Sequence, residues 1–374
     1  MSFVNKPLTD IMDCVRASTA TYVDATGRIR TAGANQPRID FSSGQGRLLV
    51  EEARTNLLTW SEDFSNSAWN LSAGTLNSSN QDSPTGSCFE LTRQTGVSTL
   101  QQSFTLPPVN SPLTLSVYVK PFVGTTTVTV RTGSINFLFA TFDLQSKIIT
   151  SKPSASDVAR IEELSNGWFR LSISGTNQYE SATSTNFRVA LNSNNSSILV
   201  TGAQLEVGST PSSYIPTQAS AVTRAADNVS RVLGGEFNKG EGTFYVNAID
   251  TIKPPITNHT FAVGGNTSTT KLAVQAHRGR IFILGTFYNI AELSDGLDGG
   301  FVFTYNKSAG VVRFYIAGNF YEYTNVDLSG FIEDIKMYIG RFSSVTPPYD
   351  SSFRQVRYFP KALSESECKE LTRI

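Results

Sequence analysis

Apolar residues recur at every second position along most of this chain, in short runs bounded by Gly, Pro, Asn, Asp and Ser. That is the patterning of half-buried strands. Between residues 57 and 217 such runs fall at 87–91, 100–106, 113–119, 125–131, 137–144, 168–175, 187–191 and 198–205. Pro84, Pro107, Pro108, Pro112, Pro121 and Pro153 sit in the gaps, where a missing backbone donor costs least. About eight strands at this spacing predict an antiparallel β-sandwich of jelly-roll type. The last run breaks at a turn cluster from Gly208 to Ser213; Pro216 follows, and 219–228 is small and polar. The pattern therefore predicts a closing strand and then a linker at 218–233.

Residues 234–374 follow the same grammar with more aromatics. Thr243 to Ala248 alternates, 311–317 and 320–324 predict a hairpin turning at Gly318-Asn319, and 336–342 and 353–359 are further strands. Ser364 followed by Glu367 has capping-box spacing and predicts a short terminal helix. At the other end, Ala20 to Val23 and Arg28 to Arg30 flank Asp24-Ala25-Thr26-Gly27, a hairpin with too few large apolar residues for a core of its own. Residues 1–56 are thus expected to lie on the following domain or on a partner chain. The fold class is all-β: two antiparallel β-sandwiches, 57–217 and 234–374, preceded by an extended N-terminal β-hairpin segment.

Composition narrows the function classes. At 374 residues, two domains are the default. Thirty-one basic side chains balance thirty-one acidic ones, which gives no electrostatic case for nucleic acid or an anionic membrane. Cys14, Cys88 and Cys368 are odd in number and far apart, which fits reduced thiols rather than a disulfide framework. The N-terminus lacks a basic head followed by an apolar run, and no stretch approaches membrane-spanning length, so a soluble, non-exported chain is expected.

Several segments carry a resemblance. Arg16 to Asp24, Asn35 to Asp40 and Leu48 to Trp69, then Gly202 to Thr217 and Val222 to Asp227, resemble in wording, order and spacing a family of tailed-bacteriophage virion proteins of tail-fibre and receptor-binding type. The resemblance implies a carbohydrate-binding-module-like first sandwich. Glu241 to Phe244, Tyr315 to Asn319, Ile339-Gly340 and Arg357 to Ser364 are similar to laminin-G-like, concanavalin-type sandwiches. Ala317 stands where that family's hairpins often carry a polar residue; its calcium-binding acids do not align here, so calcium is left as an open alternative, with the Asp295/Asp298 loop able to present carboxylates to calcium or to sugar hydroxyls.

Enzyme signatures are scarce. His259 and His277 are the only histidines and neither neighbours a cysteine, so no zinc cluster is drawn. A Gly-x-Ser-x-Gly elbow and a phosphate loop ending in Gly-Lys-Ser/Thr are both absent. The neighbouring acids Glu51-Glu52, Glu62-Asp63, Glu162-Glu163 and Glu333-Asp334 would point to opposite faces of a strand, so none makes the acid and nucleophile pair of a glycosidase. No catalytic residue, metal ligand or cofactor is assigned. Sugar recognition uses an exposed aromatic face with amides and carboxylates around it. The glycan-binding candidates are accordingly Tyr288, Asn289, Asp295, Asp298, Tyr321 and Tyr323 in the second sandwich, and Trp69 and Tyr179 in the first. For each aromatic the alternative is a place in the core, and for the Asp295/Asp298 loop an ordinary acidic turn.

The resemblance implies a non-enzymatic virion protein, assembled in the bacterial host cytoplasm. It would be fixed to other virion proteins by its N-terminal segment, form a homo-oligomer (a trimer is expected) and contact host-surface glycan, without nucleic-acid or membrane partners. The alternatives are a purely architectural head-fibre, decoration or tail-joining protein, and a glycan depolymerase.

Overall fold

The computed structural model describes residues 8–93, 96–124, 126–133, 138–179, 184–250, 260–264, 271–275, 280–289, 298–316, 318–329, 336–340 and 351–372. It is an all-β protein of antiparallel sheets. Residues 57–217 form a sandwich of two six-stranded sheets. One runs in the order Ile148–Ser151, Phe139–Asp143, Thr127–Thr132, Ser184–Leu191, Ser98–Thr105, Asn70–Ser72. The other runs Val158–Glu163, Phe169–Thr176, Pro112–Val123, Ser197–Val207, Cys88–Thr92, Thr75–Ser79. Leu100, Leu115, Val130, Phe142, Leu171, Phe187 and Leu205 fill the space between them. Each run expected from the alternation is a strand. The four strands that the alternation does not mark, 70–72, 75–79, 148–151 and 158–163, are the four outer edges, where little apolar surface is buried and the two-residue pattern fades.

The strand Ser197–Val207 departs from its expected half-burial. Ala203 and Leu205 enter the core as the alternation requires, but Gln204 and Glu206 on its other face are fully buried too. Residues 210–215 fold back over that face, and its polar groups are paired rather than solvated.

The second sandwich consists of two seven-stranded sheets, and the chain's first fifty residues help to build it. Asp13–Val15 pairs with Asn228–Val232, which continues through Lys336–Ile339, Phe261–Gly264, Lys271–Gln275 and Arg280–Ile283 to Thr286–Asn289. The facing sheet runs Asn319–Tyr323, Val311–Ile316, Asp298–Asn306, Glu241–Asp250, Ser351–Phe359, Arg47–Val50, Ile39–Asp40. Leu8, Met12, Cys14, Leu48 and Val50 enter its core beside Val229, Phe244, Phe303 and Phe353. The hairpin Ala20–Val23/Ile29–Ala32 rests on the first sandwich, through Val23 and Ile29 against Tyr118, Leu164, Trp168, Leu199 and Tyr214. The N-terminal segment therefore belongs to both sandwiches instead of standing before them.

Structure also fills the expected linker. Val222–Arg224 pairs antiparallel with Arg54–Asn56, so the chain leaves for the first sandwich and returns from it side by side. One detail differs in register. Ile316 pairs with Asn319, which makes Asn319 a strand residue and leaves the positive φ of 79° to Gly318. The terminal helix Glu365–Leu371 has the capping box in both directions, Ser364 and Glu367 bonding each other's backbone N–H. Cys14, Cys88 and Cys368 are free and buried.

Candidate functional site

Where the two passes of chain cross between the sandwiches, five charged side chains are removed from water together. Arg16, Arg38 and Arg224 face Glu51 and Asp227, all with side chains at most 4% exposed. Arg16 Nη1 donates to Asp227 Oδ1 at 2.7 Å, and its other donors reach the carbonyls of Ser18, Gly33 and Gln36. Arg38 binds the second Asp227 oxygen and lies 2.8 Å from Glu51 Oε2. The backbone N–H groups of Glu51 and Asp227 cross-link the two strands, at 2.9 Å to Asp227 Oδ2 and 2.9 Å to the Glu51 carbonyl. Ser213, from the loop that leaves the first sandwich, donates both N–H and hydroxyl to the Glu51 carboxylate at 2.6 Å. Burial alone would raise the Glu51 carboxyl; the Arg224 and Arg38 guanidiniums and the Ser213 bonds overcome it and hold it at about 2.

A second tier extends this clamp into the first sandwich. Glu206 accepts from Ser212 N–H at 2.8 Å and from its hydroxyl at 2.6 Å, and Gln204 Oε1 accepts from Ile215 N–H at 2.7 Å. Arg170 donates to the Ser212 carbonyl at 2.7 Å and lies over the Tyr118 ring at 5.5 Å. Asn56 bonds the carbonyls of Ala203 and Ile215 and accepts from Leu205 N–H. Gly202, at φ 58°, lets the Tyr118 ring come within 2.8 Å of where a Cβ would stand.

Beside the clamp lies a cleft of about 360 Å³. Its walls come from the N-terminal hairpin and following strands, the outer face of one sheet of the first sandwich, the 210–214 loop and Ser352. Tyr22, Asp40, Arg47, Arg160 and Glu162, all half-buried, place polar groups in a lining that is otherwise mainly apolar. Asp40 is committed to the local turn: one oxygen accepts from Val23 N–H at 2.8 Å and the other from Ser42 N–H at 2.9 Å. Burial raises the phenols of Tyr118, to about 12, and Tyr214, so both stay neutral donors.

The residues singled out from sequence lie elsewhere. Tyr288 and Tyr323 meet at 4.5 Å and, with Tyr321, pack half-buried against the second core. Their strands are the outermost ones of the two facing sheets, so these tyrosines close one open side of the sandwich. Burial raises the Tyr323 phenol. Asn289 and Asp298 are strand residues whose backbones pair with Arg280 and Ile249. Asp295 lies outside the described residues, as do His259, His277 and Glu333-Asp334. Trp69 is corrected from a sugar platform to a core residue: it is 7% exposed, stands edge-on to Phe64 at 4.7 Å and donates its indole N–H to the Trp60 carbonyl. Tyr179 is half-buried against the same core. The cleft residues were missed, although one signal was present. That signal is the mix of opposite charges at short spacing in Arg38/Asp40, Arg47/Glu51/Glu52/Arg54 and Arg224/Asp227, which supplies both signs for ion pairs without showing which pairs are buried.

Among the described residues no group of His, Cys, Asp and Glu is arranged to hold a metal ion, and no helix is long and apolar enough to cross a membrane. No family model and no curated protein matches the chain. Solved structures with local similarity include the enzymatically active domain of bacteriophage CBA120 tailspike protein 4, at 14% identity and TM-score 0.28 over 41% of this chain and 21% of that one. The extracellular region of zebrafish Gpr126/Adgrg6 aligns at 14% identity and TM-score 0.27, over 73% of this chain and 37% of that one. Mouse laminin α1 domains LG4-5 align at 13% identity and TM-score 0.23, over 71% and 88%. This chain thus spans well under half of the first two.

Proposed function

We propose that this chain is a non-enzymatic phage virion protein that displays two β-sandwiches and binds host-surface glycan in the cleft between them. The cleft itself carries the proposal: a recess of about 360 Å³ beside the buried ion cluster, with a tyrosine, carboxylates and guanidiniums set in walls that are mainly apolar. Such a lining matches what sugars require, an aromatic edge with hydrogen-bonding groups around it. Supporting the virion reading, the segments that resemble phage virion proteins hold the clamp residues Arg16, Arg38, Glu51, Ser213, Arg224 and Asp227. Glu51 is held ionised by Arg224 and Arg38, so it cannot be the acid that protonates a glycosidic oxygen, and the Asp40 oxygens accept from backbone N–H groups of Val23 and Ser42.

Binding of the labelled protein to host cells with and without their surface polysaccharide tests this. Lost binding on stripped cells, and an at least tenfold loss with Tyr22→Ala or Glu162→Gln at unchanged melting temperature, is the expected result. Equal binding to both cell types, or none to either, would transfer the protein to the architectural class. A homotrimer completes the proposal, since fibre-type virion proteins act as oligomers; light scattering should return about three times the 40.7 kDa chain. A 40.7 kDa particle at micromolar concentration would refute the trimer.

A further inference from the structure

The solvent-facing side of the first sandwich holds an arrangement that the cleft beside the clamp, here called the neck cleft, does not explain. On the sheet containing Thr127–Thr132 and Ser184–Leu191, Arg131 and Arg188 are direct cross-strand partners. Like charges placed opposite each other destabilise a sheet. Here they line a recess of about 220 Å³ with Val97, Thr99, Thr129, Ala190 and Asn192, and no carboxylate is among these residues. The acid on the same face, Asp143, stands opposite Thr127, away from the pair, and is bonded to Gln145 and Ser146 in its own turn. Arg131 spends Nη2 and Nε on the Gly133 carbonyl, at 2.8 and 3.3 Å, while the buried Nε of Arg188 has no hydrogen-bond partner. Asn192 donates to Thr129 Oγ1 at 2.7 Å, and the Arg93 guanidinium bonds the Asn192 carbonyl, bringing a third positive charge to the rim. Desolvation, and then the neighbouring Arg188, lower the proton affinity of Arg131.

We propose that this recess binds an oxyanion group, a sugar carboxylate or sulfate ester, on an acidic polysaccharide. Two guanidiniums at one spot offer several N–H donors to a carboxylate or sulfate, and an anion between them removes their repulsion. Polymer is favoured over a free ion because hydroxyl and amide side chains continue along the same face: Thr99, Gln101 and Ser103 on one strand and Asn186 on the next. They would meet the hydroxyls of flanking sugar rings. This site is separate from the neck cleft and does not depend on the glycan reading given to it.

Calorimetry on the full chain tests the assignment with oligogalacturonate as carboxylated probe, heparin-derived oligosaccharide as sulfated probe, dextran as neutral control, and sodium sulfate as the free ion. Binding of one or both acidic polymers but not dextran is expected, with at least tenfold weakening in Arg188→Gln and in Arg131→Gln. Arg188→Gln should melt at the same or a higher temperature than the parent without ligand, because a like-charge contact has been removed, whereas Arg131→Gln also gives up its bonds to the Gly133 carbonyl. Tyr22→Ala, in the other cleft, should leave this binding unchanged. Equal affinity for dextran, binding of sulfate ion alone, or acidic-polymer binding untouched by both arginine variants would overturn the proposal.

Discussion

Glu51 shows how a single carboxylate can hold three stretches of chain. Its oxygens meet Arg38 and Arg224 and take two bonds from Ser213, while its backbone is cross-bonded to Asp227. A buried pair contributes little net stability over a well-packed apolar replacement, but breaking one leaves a charge stranded, at a cost of about 3–5 kcal/mol. Arg38→Ala should therefore destabilise the protein by roughly that amount, measured by urea unfolding. The pH dependence follows from the same residue. Its folded value of about 2 lies below the ordinary 4.5, so its contribution is fully present above pH 4.5 and is lost as pH falls toward 2. Glu51→Gln should lower stability at pH 7 and flatten the profile between pH 4.5 and 2. An unchanged slope in that window would show that other carboxylates carry the acid sensitivity.

At the scale of elements, alternation is informative wherever a strand buries one face against a core; it fades at the outer edges of the first sandwich, and in Ser197–Val207 it locates the strand without showing that its polar face is buried too. The runs that build the first sandwich, the 311–323 hairpin and the capped terminal helix could all be read from sequence. Partnership could not be read. Nothing in Asp13-Cys14-Val15 or Arg47-Leu48-Leu49-Val50 says that their hydrogen bonds go to residues 228–230 and 351–353. Strand pairing is set by the whole chain's topology, and short strands carry no code for a distant partner. The clamp was likewise not legible as an ion cluster. Its physical content, arginines matched to acids across some 200 residues, appears once the passes of chain are brought together. Leu48→Ala tests the element directly. It removes a fully buried side chain from a strand of the second sandwich, and a loss of about 2–5 kcal/mol is expected in thermal or urea melts. A change below about 1 kcal/mol would mean the strand contributes little to that core.

For the molecule as a whole, the first sandwich is an insertion within the second, and this makes a sharp prediction about cutting the chain. Residues 234–374 alone lack Leu8, Met12, Cys14, Leu48, Val50 and Val229, which complete their core, and lose the strand that pairs with the start of Ser351–Phe359. An apolar face and a bare strand edge would be exposed together. That fragment should aggregate or melt without cooperativity. A chain joining Asn56 to Val222 through a short Gly-Ser turn should do better: these residues are partners across a ladder, close enough for a tight turn, and every strand of the second sandwich is kept. It should show a cooperative melt, lowered because Ser213 and the surface beneath the hairpin are gone. Far-UV circular dichroism with thermal melts of both chains decides the matter. A cooperative transition in 234–374 alone would make the N-terminal strands an accessory, whereas cooperativity only in the joined chain would make them part of the domain.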